Sequence, residues 1–233
     1  MWNGKMKALT FSFDDGVLQD ERAIKILDKY NLKATFNLNS SLLGLKNTLP
    51  YPDKPVCHDK IDPNKVCDVY KNHEVAVHTL THPNLTQCSD AVITHQVEED
   101  RLLLEKLTGK QVVGMAYPCG GVNNDDRVAS IIKQTTNVKY CRTITSTYSF
   151  DLQENLYRFN PTVYYIEKEK LFTLGKKFIS LKPDKPSLFY IWGHTYEMDR
   201  GGEFVNWDEF DEFCKLISNK DDVFYGTNTE VLL

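Results

Sequence analysis

Lys7-Ala8-Leu9-Thr10-Phe11-Ser12-Phe13-Asp14-Asp15-Gly16 sets the frame for the whole chain. Leu9, Phe11 and Phe13 alternate with Ala8, Thr10 and Ser12, and the run is rich in strand formers. Residues 7–13 therefore read as a strand, which Asp14-Asp15-Gly16 brings to an end. Ala23, Ile24, Leu27 and Tyr30 then recur at helical spacing, so residues 20–30 form a helix. Residues 33–38 return to strand, with Asn37 and Asn39 at its carboxyl end. A strand, a helix and a second strand in immediate succession build a parallel sheet.

The pattern continues outward from this unit. Residues 40–61 contain Pro50, Pro52 and Pro55 and show no period, so they read as a long loop on the substrate side. Asp62-Pro63 supplies an N-cap and a first-turn proline for a helix to Lys71. Residues 74–77 are a short buried strand. Ser89-Asp90 opens a helix with Ile93, Val97, Leu104 and Leu107 inward and Gly109 as its stop. Further strands are expected over residues 111–117, 138–144, 156–165, 187–192 and 223–225. Pro161 marks an edge or a break in the third of these. Helices are expected over residues 124–134, 167–179 and 207–217. The lysines from Lys168 to Lys185 read as a solvated face. Seven or eight strands, most followed by a helix, favour an α/β fold of (β/α) barrel type in one domain over residues 1–233.

Composition narrows the class. The chain has 233 residues, 41% hydrophobic and 26% charged, enough for a sizeable core. A net charge of −4 without a long basic run argues against nucleic acid as the main partner. No apolar run approaches the ~20 residues of a membrane-spanning helix. The first seven residues contain no apolar stretch of the kind a secretory signal needs. Six scattered cysteines, without close pairs, read as mostly free thiols. Together these lead to the expectation of a cytoplasmic protein.

The chemistry concentrates at strand ends. His78-Thr79-Leu80-Thr81-His82 follows the strand at residues 74–77, and Pro83 forces the chain away from a helix at His82. Two imidazoles across such a turn can point at one ion, and neutral imidazole suits zinc. On a continuing strand Asp14 and Asp15 would face opposite ways, but Gly16 permits a sharp turn that brings both to one cavity. One aspartate with His78 and His82 makes a two-histidine, one-carboxylate set with open positions, and the other aspartate is free as a base. His194, after Gly193 at another strand end, is placed to protonate a leaving group. In barrels of this type, chemistry sits where strands end and loops begin.

Four segments carry a resemblance. Ser12-Phe13-Asp14-Asp15-Gly16, His78-Thr79-Leu80-Thr81-His82, Tyr117-Pro118-Cys119-Gly120 and Trp192-Gly193-His194 resemble the ordered motifs of the polysaccharide deacetylases, the NodB-homology proteins of carbohydrate esterase family four. The resemblance runs over nearly the whole chain. It implies a distorted barrel of about seven strands and a divalent metal, zinc or cobalt, on Asp15, His78 and His82. It implies Asp14 as base, His194 as acid and the backbone N–H of Cys119 as an oxyanion donor, with Tyr117 and Trp192 on the substrate side. The substrate implied is an acetylated oligo- or polysaccharide, losing its acetyl group from nitrogen or oxygen.

The sequence also departs from that family. An arginine often stands where this chain has Ala116, paired with the catalytic aspartate. Arg142, near the carboxyl end of the next strand, is the candidate to reach across in its place; the alternative is a surface salt bridge. Cys119 replaces a usual aromatic residue. The later aspartate that tunes the acid histidine is not evident. Glu197 is the candidate substitute, against the alternative of a solvated loop carboxylate. Two other functions stay open: hydrolysis of C–N bonds in a small non-sugar amide, and carbohydrate binding without catalysis. Trp192, Tyr196 and Trp207 could stack on sugars or fill the core.

Overall fold

The computed structural model describes residues 1–52 and 54–233. β1 (Lys7–Asp14) is the axis of its main sheet. β9 (Ser187–Gly193) runs parallel to it along seven residue pairs, from Lys7 opposite Ser187 to Phe13 opposite Gly193. On the other side, β2 (Ala34–Leu38) pairs with the last four residues of β1. From β2 the sheet continues through β5 (Glu74–Val77) to β6 (Gly114–Ala116) and β7 (Tyr140–Arg142). Beyond β9 lies β8 (Val163–Tyr164). The order β7-β6-β5-β2-β1-β9-β8 is parallel throughout, and β10 (Val223–Tyr225) adds a short parallel strand beside the first three residues of β1. Seven parallel strands, with β10 as a short eighth beside β1, thus form a curled sheet, the distorted (β/α) barrel that the sequence implied.

Helices cover the outside. They are α1 (Asp20–Lys29), α2 (Val66–Val69), α3 (Asp90–Thr108), α4 (Asp126–Thr135), α5 (Lys168–Ser180), α6 (Trp207–Ile217) and α7 (Asn228–Leu232). β1 is buried along its whole length, as a central parallel strand covered on both faces must be. Its two faces still differ. Phe11 packs against Phe210 and Phe213 of α6, so the aromatic face meets the helices. Thr10 donates to Asn228, and Ser12 accepts from Asn228 and from Arg142, so the polar face lines the barrel interior. α7 closes the amino-terminal end of that interior through Asn228, which also donates its backbone N–H to Thr35.

Several expected boundaries move. The expected strand 156–165 is a 3-10 turn at Leu156–Arg158 followed by a two-residue β8. Pro161 has no N–H to donate, so a continuous ladder cannot form there. Instead Phe159 donates to Cys141 at 3.0 Å and accepts from Thr143 at 2.9 Å, so an irregular segment covers the free edge of β7. The strands expected at 111–117 and 138–144 keep only three ladder residues each. The helix expected to run to Lys71 is a 3-10 turn at Pro63–Lys65 leading into the four residues of α2. Asp62 does cap it, accepting from the N–H of Asn64. The excursion at residues 40–61 holds an antiparallel hairpin, β3 (Thr48–Pro50) with β4 (Pro55–Cys57). α7 had no expected counterpart. All six cysteines are unpaired. Among the described residues, no helix is long and apolar enough to cross a membrane.

Candidate active site

Asp14 is the last ladder residue of β1, and its side chain follows Ser12 into the barrel mouth. Asp15 turns at once: its φ is +85°, and Gly16 continues at +62°. The left-handed turn therefore begins on the aspartate itself, one residue before the glycine. Such a conformation is uncommon for a residue with a Cβ and needs support from its surroundings. The N–H of Asp15 bonds to Asn37 O at 2.9 Å, and Lys60 Nζ donates to the Asp15 carbonyl at 2.8 Å. A Cβ on Gly16 would stand 2.7 Å from Leu38 Cδ2, so the close approach of β2 also requires glycine here.

The histidine loop is built the same way. Thr79 and His82 both have positive φ, +67° and +61°. Asn39 Nδ2 donates to the carbonyls of His78 and Thr79, and Thr79 Oγ1 accepts the N–H of His82. Asp100, buried in α3, accepts from the N–H of His78 and from Ser40. The two rings come to 4.9 Å between centroids. Asp15 Oδ1 lies 3.8 Å from His78 Nε2 and 3.7 Å from His82 Nε2. His78 Nδ1 donates to Ala116 O at 2.9 Å, which leaves the Nε2 lone pair as its free ligand atom. That Nε2 is buried and has no hydrogen-bond partner. A buried, unpartnered acceptor facing a carboxylate and a second imidazole fits a divalent cation, and Asp15, His78 and His82 have the donor set and spacing for one.

Asp14 stands beside this cluster. Arg142, fully buried, donates through Nη2 to both Asp14 oxygens. Asn37 Nδ2 adds a bond at 2.8 Å. Arg142 thus reaches across the interior and is not a surface residue. Burial pushes the Asp14 carboxyl up, but Arg142 together with His78 and His194 outweighs it and holds the pKa below the usual carboxylate range. His194 Nε2 lies 4.0 Å from Asp14 Oδ2. Its Nδ1 lies 3.3 Å from Glu197 Oε1, whose other oxygen accepts the His194 N–H at 3.1 Å. Glu197 is 6% exposed, so it is no solvated loop carboxylate. Burial alone would lower the histidine's pKa; the charge and hydrogen bond of Glu197, with the charges of Asp15 and Asp14, overcome it and raise the value to about 9. Burial takes His78 the other way, down to about 4, and keeps its ring neutral at pH 7. One cleft of about 440 Å³ therefore brings together Asp14, Asp15, His78, His82, Tyr117, Cys119, Trp192 and His194.

Three aromatic side chains are committed to partners within the protein. Tyr117 spends its hydroxyl on Tyr157 O at 2.7 Å, so it cannot donate to a ligand in the cleft. Trp192 stacks on Tyr164 at 4.2 Å, with the Arg142 guanidinium 4.6 Å from its ring. At 5% exposure it offers the cleft a rim rather than an open face for a sugar. Trp207 donates to Asp199 beneath Arg22 and does not line the cleft; it is core. Tyr196 does line it. Cys119, at φ +70°, places its thiol 3.4 Å from the His82 carbonyl. Sequence reasoning missed Tyr164, which donates to Glu197, and His58 and Lys60 against Asp15. Their only signal was membership of a barrel strand end or of the long excursion, and neither marks a particular side chain.

Fold and site together define a (β/α) barrel protein with a two-histidine, one-aspartate cluster at the carboxyl ends of its strands. The family model for polysaccharide deacetylase matches residues 3–138, more than half of the chain, and the chain belongs to that family. Solved structures share the fold at low identity. Peptidoglycan deacetylase PdaC from Bacillus subtilis is 19% identical at a TM-score of 0.56, covering 97% of this chain and 90% of that one. The Bc1960 peptidoglycan N-acetylglucosamine deacetylase is 17% identical at a TM-score of 0.60, covering 98% and 88%. BA3943, a CE4 family pseudoenzyme from Bacillus anthracis, is 21% identical at 0.57, covering 100% and 67%. A search of curated proteins found no match.

Proposed function

We propose that this chain is a metal-dependent hydrolase that removes acetyl groups from an N- or O-acetylated carbohydrate. The observation that carries the reading is the pairing of Asp14 with Arg142 within 4.0 Å of His194, beside the Asp15, His78 and His82 cluster. A protein that only bound sugar would have no use for a separately ionised carboxylate at that point. Asp15, His78 and His82 would hold the cation. When bound, a divalent ion polarises the acyl carbonyl and lowers the pKa of water.

The chain's own groups account for the proton traffic. Asp14, kept ionised by Arg142, accepts a proton from the attacking water as its oxygen bonds to the acyl carbon. The backbone N–H of Cys119 stabilises the developing oxyanion. His194 is an imidazolium at neutral pH and gives its proton to the departing nitrogen or oxygen as that bond breaks. Acetate and a free amine or hydroxyl remain. Glu197 and Tyr164 keep the acid charged and oriented.

Acetate release from acetylated oligosaccharides tests this. Neighbours named as peptidoglycan deacetylases put peptidoglycan fragments first in the panel. Release should vanish on metal stripping, return with zinc or cobalt, and stay absent in reloaded Asp14→Ala. Release that survives Asp14→Ala sinks the mechanism. No release from any sugar by the metal-loaded protein would favour an amide substrate or a binding role.

A further inference from the structure

The excursion across the barrel mouth carries a side chain that the scheme above does not use. His58 Nε2 lies 3.1 Å from Asp15 Oδ2 and is buried at 9% exposure. The two oxygens of Asp15 thus face different partners. Oδ1 faces His78 and His82, at 3.8 and 3.7 Å, with Lys60 Nζ at 3.6 Å; Oδ2 faces His58. His58 stands behind the carboxylate rather than within the three-residue cluster. Its Nδ1 is buried with no hydrogen-bond partner, so the hydrogen of a neutral ring belongs on Nε2, where it donates to Oδ2. A carboxylate free to turn can offer an ion either oxygen or both. One whose Oδ2 is held by an N–H offers Oδ1 alone.

The segment is anchored where this needs it. Lys60 forms an antiparallel bridge with Val17, and Ile61 N–H bonds to Gly16 O at 2.9 Å. Lys60 Nζ holds the carbonyl of Asp15 at 2.8 Å, fixing the left-handed backbone from which the carboxylate projects. The His58 ring packs edge-on against Tyr196 at 4.8 Å. We infer that His58 is a positioning residue for the metal centre: it clamps Oδ2 of Asp15, so that the excursion, not the barrel alone, determines how this carboxylate meets a cation. The inference rests on reading Asp15, His78 and His82 as the metal ligands.

Zinc and cobalt affinities, measured by competition with a chelating dye, test it together with the visible spectrum of the cobalt form. His58→Phe keeps the ring packing and removes the donor. It should weaken binding on the order of 10–100-fold and change the cobalt spectrum. His58→Gln restores an N–H and should recover most of the loss. If His58→Phe does not fold, His58→Leu takes its place in the same comparison with Gln. Wild-type affinity and spectrum in the variant without a donor would overturn the inference. Equal weakening by Phe and Gln would do so too, because packing and not donation would then be responsible. A wild-type protein that takes up no metal, or an Asp15→Ala variant that keeps it, overturns the metal-centre reading itself and His58's role with it.

Discussion

At Asp14 a buried negative charge would be unstable alone, and Arg142 from β7 supplies the balancing charge from 128 residues away in sequence. Neither residue reaches solvent appreciably, so removing one partner strands the other. Arg142→Ala should destabilise the fold by about 3–5 kcal/mol, read from denaturant unfolding. It should also lower kcat at saturating metal by about 10²-fold, a loss on the scale of one proton-transfer partner. An unchanged kcat would separate Arg142 from the chemistry. His194 gives a second prediction at this scale. Its pKa rises on folding from 6.5 to about 9, against the opposing effect of burial. The carboxylates around it, Glu197 foremost, therefore stabilise the protein fully below pH 6.5, and that stability is lost as pH rises through about 9. Activity should fall along the same alkaline limb, and Glu197→Gln should move the limb to lower pH in a pH–rate profile. An unmoved limb would show that another group sets it.

Among the elements, β1 and α6 meet through an aromatic cluster. Phe11 is wholly buried between Phe13, Phe210 and Phe213. Phe11→Ala should cost about 3–5 kcal/mol in thermal or denaturant unfolding. α6 begins on Asn206, whose side chain accepts from the N–H groups of Asp208 and Glu209. Asn206→Ala should cost about 1 kcal/mol and leave activity alone, because the cap lies outside the cleft. Elements with a strong period are legible in the residues themselves: α6 and β10 fall where the sequence places them. The sequence overstates β6, β7 and β8. Apolar flanking residues such as Val112 and Val138 continue the hydrophobic run while the ladder itself stops. Prolines hide the hairpin β3–β4, because Pro50 and Pro55 stand opposite each other as one of its three residue pairs.

Across the whole molecule, the cation would join β1 to the loop after β5. A ligand that binds the native state alone stabilises it by mass action. Cobalt or zinc at 100 times its Kd should add about 2.7 kcal/mol and raise the thermal midpoint. Asp15→Ala should abolish that rise while leaving a folded protein. A midpoint insensitive to metal in the wild type would argue against the centre. The whole fold also explains why the barrel interior is polar. α7 fills one end with Asn228, and Asp14 with Arg142 fills the other.

By itself the sequence determined the alternation of strands and helices, the family, and the strand-end positions of Asp14, Asp15, His78, His82 and His194. Periodicity and turn residues act over a few neighbours, so a single chain reveals them directly. The tertiary structure alone decided which charges meet. Arg142 pairs with Asp14 because β1 and β7 curl around one interior, and no local pattern encodes that distance. Glu197 faces His194 because the turn after β9 folds back under Tyr164. His58 reaches Asp15 because a hairpin without a period is stitched to Gly16 and Val17. Each is a contact between segments distant in the chain or bent by a turn, and it depends on pairing polar and charged groups out of water, which only the assembled barrel can do.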